Sequence, residues 1–169
     1  MFIRAFVTAT AVLLAACSQQ DAQPQEIPTE TAGPSEGVFP SMMRGTAILI
    51  GADGSEIGSA NFLDGPNGEI IRVEISPGSL EPGWHGLHLH ATGDCSDTGI
   101  FKASGGHQGK HEGGHGLLNP NGPEAGDLPN LWAAADGSAG YEAFTRLTGL
   151  DALLDEDGAA LIIHEAEDD

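Results

Sequence analysis

The histidines of this chain are unevenly placed. Six of the seven lie between His85 and His115, and the seventh is His164. Neutral imidazole is a good ligand for transition metals, so a cluster of this kind raises metal chemistry first. If Trp84 to Ala91 is extended, His88 and His90 fall on one face while Leu87 and Leu89 fall on the other, and both imidazoles can reach one ion. On its own an H-x-H pair is a weak signal, because a hydrogen-bonded pair without metal has the same spelling. Downstream, SGGHQGKHEGGHG adds His107, His111 and His115, and PEAGDLPN adds Glu124 and Asp127. Five glycines between residues 105 and 114 exclude a helix that would stack these histidines at i, i+4 and i+8. Such a tract reads either as a shaped metal-binding loop or as an unselective metal-sequestering segment.

The elements that must position these residues show a period of two. Ile71, Val73 and Ile75 alternate with Arg72, Glu74 and Ser76, which predicts a strand with one buried and one wet face. Thr46 to Ile50 and Glu56 to Leu63 read as strands, with turns at Ala52-Asp53-Gly54 and Gly65-Pro66-Asn67-Gly68. Trp84 to Ala91, Leu131 to Ala134, Tyr141 to Arg146 and Ala160 to His164 supply four more. Leu150 to Leu154 is the single helical hint, of about one turn. Short strands with turn chemistry between them predict an all-β antiparallel sandwich or barrel. Thr92 to Asn130 has no periodic pattern, and a loop of that length in a compact domain is usually functional.

The chain has 169 residues, with 25 acidic and 6 basic side chains and a formal net charge of −19. That balance excludes nucleic acid and anionic lipid head groups as main partners, since phosphate binding needs clustered Lys and Arg. It does not exclude a small anionic substrate at a locally positive mouth. Residues 1–16 read as a signal peptide: Met1 to Arg4 is a short basic start, Ala5 to Leu14 is apolar, and Leu14-Ala15-Ala16-Cys17 resembles a bacterial lipobox. Cys17 is then the expected lipidated first residue, although an ordinary secretory cleavage nearby is the alternative. The apolar run falls short of the roughly 18 residues of a membrane-spanning helix. The expected location is the cell envelope, lipid-anchored on the periplasmic side. Ser18 after Cys17 resembles the outer-membrane kind of lipoprotein. Residues 17–37, the lipidated Cys17 followed by a polar Pro- and Gln-rich stretch, read as a tether, and residues 38–169 as the folded domain.

The order GWHGLHLH, GDCSD, SGGH, HGLLNP, AGDLPNL and IIHE closely resembles the copper/zinc superoxide dismutase family across most of residues 45–168. The resemblance implies a Greek-key antiparallel β-barrel, or flattened immunoglobulin-like sandwich, with long metal-binding loops. It implies copper on His88, His90, His107 and His164, and zinc on His107, His115 and Asp127, with the His107 imidazole bridging the two ions. Asp168 matches a carboxylate that links ligands of both metals. His85 matches a histidine that braces the copper strand, and Cys95 matches half of an intrasubunit disulfide. The implied reaction is superoxide dismutation, with copper cycling between oxidation states and His107 and His164 in the catalytic centre. Four neutral imidazoles suit Cu(II), while a site of imidazole and carboxylate suits zinc.

Three departures from the family pattern stand out. Glu124 occupies the position of a further zinc histidine, and because its spacing to Asp127 matches the motif it is the expected fourth zinc ligand, with the extra histidine of the loop, His111, as the alternative. Five residues after His164 the sequence stops, before the family's arginine-bearing loop, second cysteine and closing strand. That implies a closing strand missing from the barrel and a reduced rate, since Lys102 and Lys110 are poor substitutes for a guanidinium. Cys95 is thereby an odd cysteine, either free or paired with another chain, and open strand edges invite a homodimer. The alternative function is a noncatalytic copper/zinc-binding lipoprotein of the same fold.

Overall fold

The computed structural model describes residues 43–169. The expected signal peptide, Cys17, the tether and residues 38–42 lie outside the described residues. Seven strands, β1 (Met43–Ile50), β2 (Glu56–Gly65), β3 (Gly68–Ile75), β4 (Gly83–His90), β5 (Asp127–Ala133), β6 (Ala139–Thr145) and β7 (Ala160–Ile163), are joined by one helical turn, α1 (Leu150–Leu153). They form two antiparallel sheets, ordered β1-β2-β3-β6 and β5-β4-β7. Among the described residues no strand joins the free edges of β1 and β7, so the barrel is not closed.

Alternation sets the core. On β3, Ile71, Val73 and Ile75 are buried while Arg72 and Glu74 are exposed, and Arg72 pairs across the outer face with Glu142 of β6. Opposite them, Leu87 and Leu89 of β4 and Leu128 and Leu131 of β5 complete an interior with Ala60 and Phe62. Each such aliphatic side chain stabilises the fold by about 1.5–3 kcal/mol when fully buried. Leu150 and Leu153 of α1 are buried in the same cluster, where Gly45 leaves room for the Leu150 side chain.

β4 is buried on both faces from His85 to His90, although only one face meets the core. Its other face is covered by the long connection that follows it. That connection is tied down by backbone bonds: Gln108 N donates to Leu89 O (2.8 Å), Gly126 N to Gln108 O (2.9 Å) and Leu89 N to Gly126 O (2.9 Å). An isolated antiparallel bridge sets His107 beside His90. A short 3-10 turn at Lys102–Ser104, not foreseen from the sequence, is held by Asp97 Oδ2, which accepts from Lys102 N and Ala103 N. β5 begins at Asp127, four residues before the expected Leu131, so Asp127 stands on a strand and not in the loop. Cys95 is half-buried and has no disulfide partner among the described residues.

At Gly126 any side chain would run into the Leu89 carbonyl oxygen and press on Gln108 N. Backbone on both sides leaves nothing flexible to yield. Gly126→Ala should therefore cost about 1–3 kcal/mol, read as a lowered thermal midpoint and a loop that is cut faster by protease.

Candidate metal centre

His88 and His90 leave β4 on the covered face and are buried. The loop brings His107 against them, with ring centroids 4.2 Å from His88 and 5.0 Å from His90. His164, one residue beyond β7, completes the group at 4.7 Å from His88. Each of the four rings offers a nitrogen within 4.8 Å of the others'. Hydrogen bonds fix which nitrogens carry protons. The His90 Nδ1–H donates to Gly105 O (3.0 Å), and the Ser104 hydroxyl, which gives its proton to Phe101 O (2.6 Å), turns a lone pair toward the same Nδ1 at 3.1 Å. His90 Nε2 is left without a proton and without a partner. His88 Nδ1 and His164 Nε2 are also buried and unpaired. Three unsatisfied nitrogens around one point are costly in a folded protein, and a cation there removes the cost.

Protonation offers no cheap alternative. Burial first, then the neighbouring His107 and His164, pushes His88 down to about 4. His90 is lowered by burial against the opposing pull of the Gly105 carbonyl, and His164 is lowered by burial and by His107. All three rings are therefore held in the neutral form that binds metal.

A second donor set adjoins the first. His107 Nδ1 lies 3.0 Å from both Asp127 Oδ1 and Glu124 Oε2, and His115 Nδ1 lies 3.2 Å from Asp127 Oδ1. Backbone amides of Gly116 and Glu124 both donate to Asp127 Oδ2 at 2.9 Å, which leaves Oδ1 for the cluster. Burial raises the Asp127 carboxyl, yet these amides and His115 outweigh it and keep the group lowered and ionised. His115 Nε2 donates to Asp168 Oδ2 at 2.9 Å, and its Nδ1 lies against Asp127 Oδ1 at 3.2 Å. Burial lowers His115, but the bonds to Asp168 and Asp127 prevail and leave it raised. Two carboxylates and two Nδ1 atoms so arranged need either protons or a cation among them, and the chemistry of the set is that of zinc.

Asp168 spans the two sets. The oxygen that accepts from His115 lies 3.5 Å from His88 Nε2. Asn130 clamps it, since its side chain donates to Asp168 O and accepts from Asp168 N at 3.1 Å. His85 has no free nitrogen: its ring spans His164 O (2.7 Å) and Glu81 O (2.8 Å) and so braces β4 against the tail after β7. Gly86 allows that tail to lie close, with Gly86 N donating to Ala166 O (2.8 Å) and accepting at its own carbonyl from His164 N (2.9 Å).

Of the two candidates for the fourth position, Glu124 borders the second set, its Oε2 3.0 Å from His107 Nδ1, while the donors that all lie within 4.8 Å of one another are those of His88, His107, His115 and Asp127; His111 belongs to neither set. His111 is exposed, its Nε2 faces Asn121 O at 3.1 Å, and its amide donates to Glu124 Oε1. Ser104 and Asn130 are the functional residues that sequence reasoning missed. No composition or spacing signal marks either. A cleft of about 840 Å³ opens over both sets, bounded by His90, His107, His115, Glu124 and the exposed Lys110.

With this geometry established, the similarities to known proteins are informative. Residues 56–169 match the family described as copper/zinc superoxide dismutase. The chain is 40% identical over 133 residues to the superoxide dismutase [Cu-Zn] of Caulobacter vibrioides, covering 73% of this chain and 74% of that one. It is similar to the crystal structure of a SOD-like protein from Bacillus subtilis, with a TM-score of 0.64 and 33% identity over 74% of this chain and 86% of that one. The Cu/Zn superoxide dismutase from Brucella abortus gives a TM-score of 0.59 and 25% identity over 74% and 85% of the two chains.

The two donor sets can be separated by variants. Glu124→Ala should reduce bound zinc well below one per chain while His111→Ala leaves it near one, as read by metal analysis after dialysis against a weak chelator. Asp168→Asn should weaken both metals by roughly 10–100-fold, measured by competition with a chromophoric chelator.

Proposed function

Because the chain belongs to the copper/zinc superoxide dismutase family, we propose that it dismutes superoxide, turning two superoxide anions and two protons into dioxygen and hydrogen peroxide. The observation that carries this reading is the pair of adjoining donor sets that share His88 and His107, with three buried imidazole nitrogens of the first set unpartnered. His88, His90, His107 and His164 would hold copper, and His107, His115, Asp127 and Glu124 would hold zinc. Copper, when bound, supplies the alternation of oxidation state that takes an electron from one superoxide and gives one to the next. The protein's own part is to present neutral rings, to fix their tautomers through Gly105, Ser104 and Asp168, and to keep His107 between the sets, where it can hold a proton for the departing peroxide. Lys110 lines the same cleft, and its charge contributes to holding the His90 ring neutral, so it faces an arriving anion.

Cell-envelope placement is part of the proposal and is supported by Met1 to Arg4, the apolar run and the Leu14-to-Cys17 tetrapeptide. On that reading the lipid on Cys17 is the membrane attachment, favouring the outer membrane. Among the described residues no helix is long and apolar enough to cross a membrane. Self-association through the edges of β1 and β7, which no strand covers among the described residues, belongs to the same proposal. A second reading, a noncatalytic copper/zinc-binding lipoprotein, is favoured by the carboxylate at 124 and by the similarity to a protein described only as SOD-like.

The deciding experiment is superoxide decay measured with the chain carrying one copper and one zinc, against free copper at the same concentration. Acceleration that His164→Ala abolishes together with tight copper binding is expected. Stoichiometric metal without acceleration would leave the noncatalytic reading. Lys110→Glu should slow the reaction several-fold at low ionic strength, with the difference shrinking as salt screens the charge.

A further inference from the structure

The inner face of the first sheet is apolar row by row until its last row. On β3 the inward positions run Ile75, Val73, Ile71 and then Glu69, which is 0% exposed. Neither carboxyl oxygen of Glu69 has a hydrogen-bond partner. Its neighbours in the row are Asp64 of β2, directly opposite, and Thr145 of β6. The Thr145 hydroxyl oxygen already accepts from Leu147 N. Gly149 lies over Asp64, and Leu150 and Leu153 of α1 bring only apolar surface. Arg72, three residues on along β3, is exposed on the outer face and paired with Glu142, Arg44 and Arg146 are exposed, and alternation puts Arg44 on the outer face as well. The single charged group facing Glu69 among the described residues is thus another carboxylate. An ionised Glu69 would bear both the desolvation of a buried charge and repulsion from Asp64, whereas a protonated one bears neither.

We propose that Glu69 is a proton-dependent latch: as a neutral carboxylic acid it keeps the polar end of the first sheet packed beneath residues 145–150, and loss of its proton loosens that end. Burial first, then Asp64, raises the group to about 7 in the folded chain. In the unfolded chain a glutamate titrates near ~4.3. The native state therefore holds a proton that the unfolded state has given up between those two values. Stability falls as pH rises through that window, and the loss is complete above about 7. On this account the contribution is fully present in acid and is lost on the approach to neutrality, with no further loss in alkali. Glu69 lies in the sheet that carries none of the metal-site residues, so the effect is separate from metal loss.

The test compares unfolding of the metal-loaded full chain and its Glu69→Gln variant from pH 5 to 8.5. Gln keeps the shape of the neutral acid and cannot ionise. The ratio of folded to unfolded protein should shift toward the variant by about tenfold per pH unit up to neutrality and then level off, with copper and zinc content unchanged. A pH-independent difference would overturn the latch. So would a variant that is less stable at pH 8 while millimolar calcium chloride stabilises the wild type alone, which would make Glu69 a cation ligand. Should the variant fail to fold, infrared spectroscopy of the wild type decides: a protonated carboxyl band from a buried acid is expected to persist at pH 6, and its absence overturns the proposal.

Discussion

The domain is organised around one imidazole. His107 lies against His88 on one side and within hydrogen-bonding distance of two carboxylates on the other. Its ring has to be placed in two planes of reference at once, and the loop that carries it has little core of its own. The sequence solves this with backbone. The bridge to His90, the Gln108–Leu89 and Gly126–Gln108 bonds and the bare Cα of Gly126 make the loop an extra half-strand on β4. Because β4 is central in its sheet, the ring inherits the stiffness of the barrel.

The same constraint explains why polar atoms are left unpaired inside. A protein that satisfied His88 Nδ1, His90 Nε2 and His164 Nε2 with hydrogen bonds would have no room for an ion. Instead the other nitrogen of His90 is engaged by Gly105 and that of His88 is faced by Asp168, which leaves the free ones for an ion. The unfavourable energy of the empty arrangement is the counterpart of affinity for metal, and loading is coupled to folding. The loop from residue 92 to 126 owes its order to that network as much as to apolar burial.

Much of this was legible in the sequence where a period applied. The H-x-H pair could be assigned to one face because strand alternation is strict, and Leu87 and Leu89 are indeed in the core. Ile71, Val73 and Ile75 followed from the same rule. Glu124 could be preferred over His111 from its spacing to Asp127, a local property of a tight turn. What escaped has no local signature. Ser104 matters through a contact with His90 fourteen residues away, and Asn130 through a clamp on Asp168 thirty-eight residues on. β5 was expected to start at Leu131 because Asp127 to Asn130 carries turn chemistry, yet pairing with His88 extends the strand to Asp127. Glu69 obeys the alternation of β3, but a carboxylate at an inward position reads from sequence as a strand end.

The carboxylate at position 124 also bears on the field that a substrate would meet. A zinc set with Asp127 as its one anion would carry excess positive charge. With two carboxylate ligands in place of one, the ligand charge would balance a divalent ion, and that half of the centre would add little to the attraction of an anion. The chain as a whole is at −19, so the background opposes approach. In the proposed centre attraction would then come from the copper side of His107 and from Lys110 on the cleft wall, where a near charge outweighs many remote ones lying beyond a screening length of about 10 Å. As a zinc ligand in the proposed centre, Glu124 would shift the electrostatic work to the other metal, so that metal content and rate would have to be measured separately.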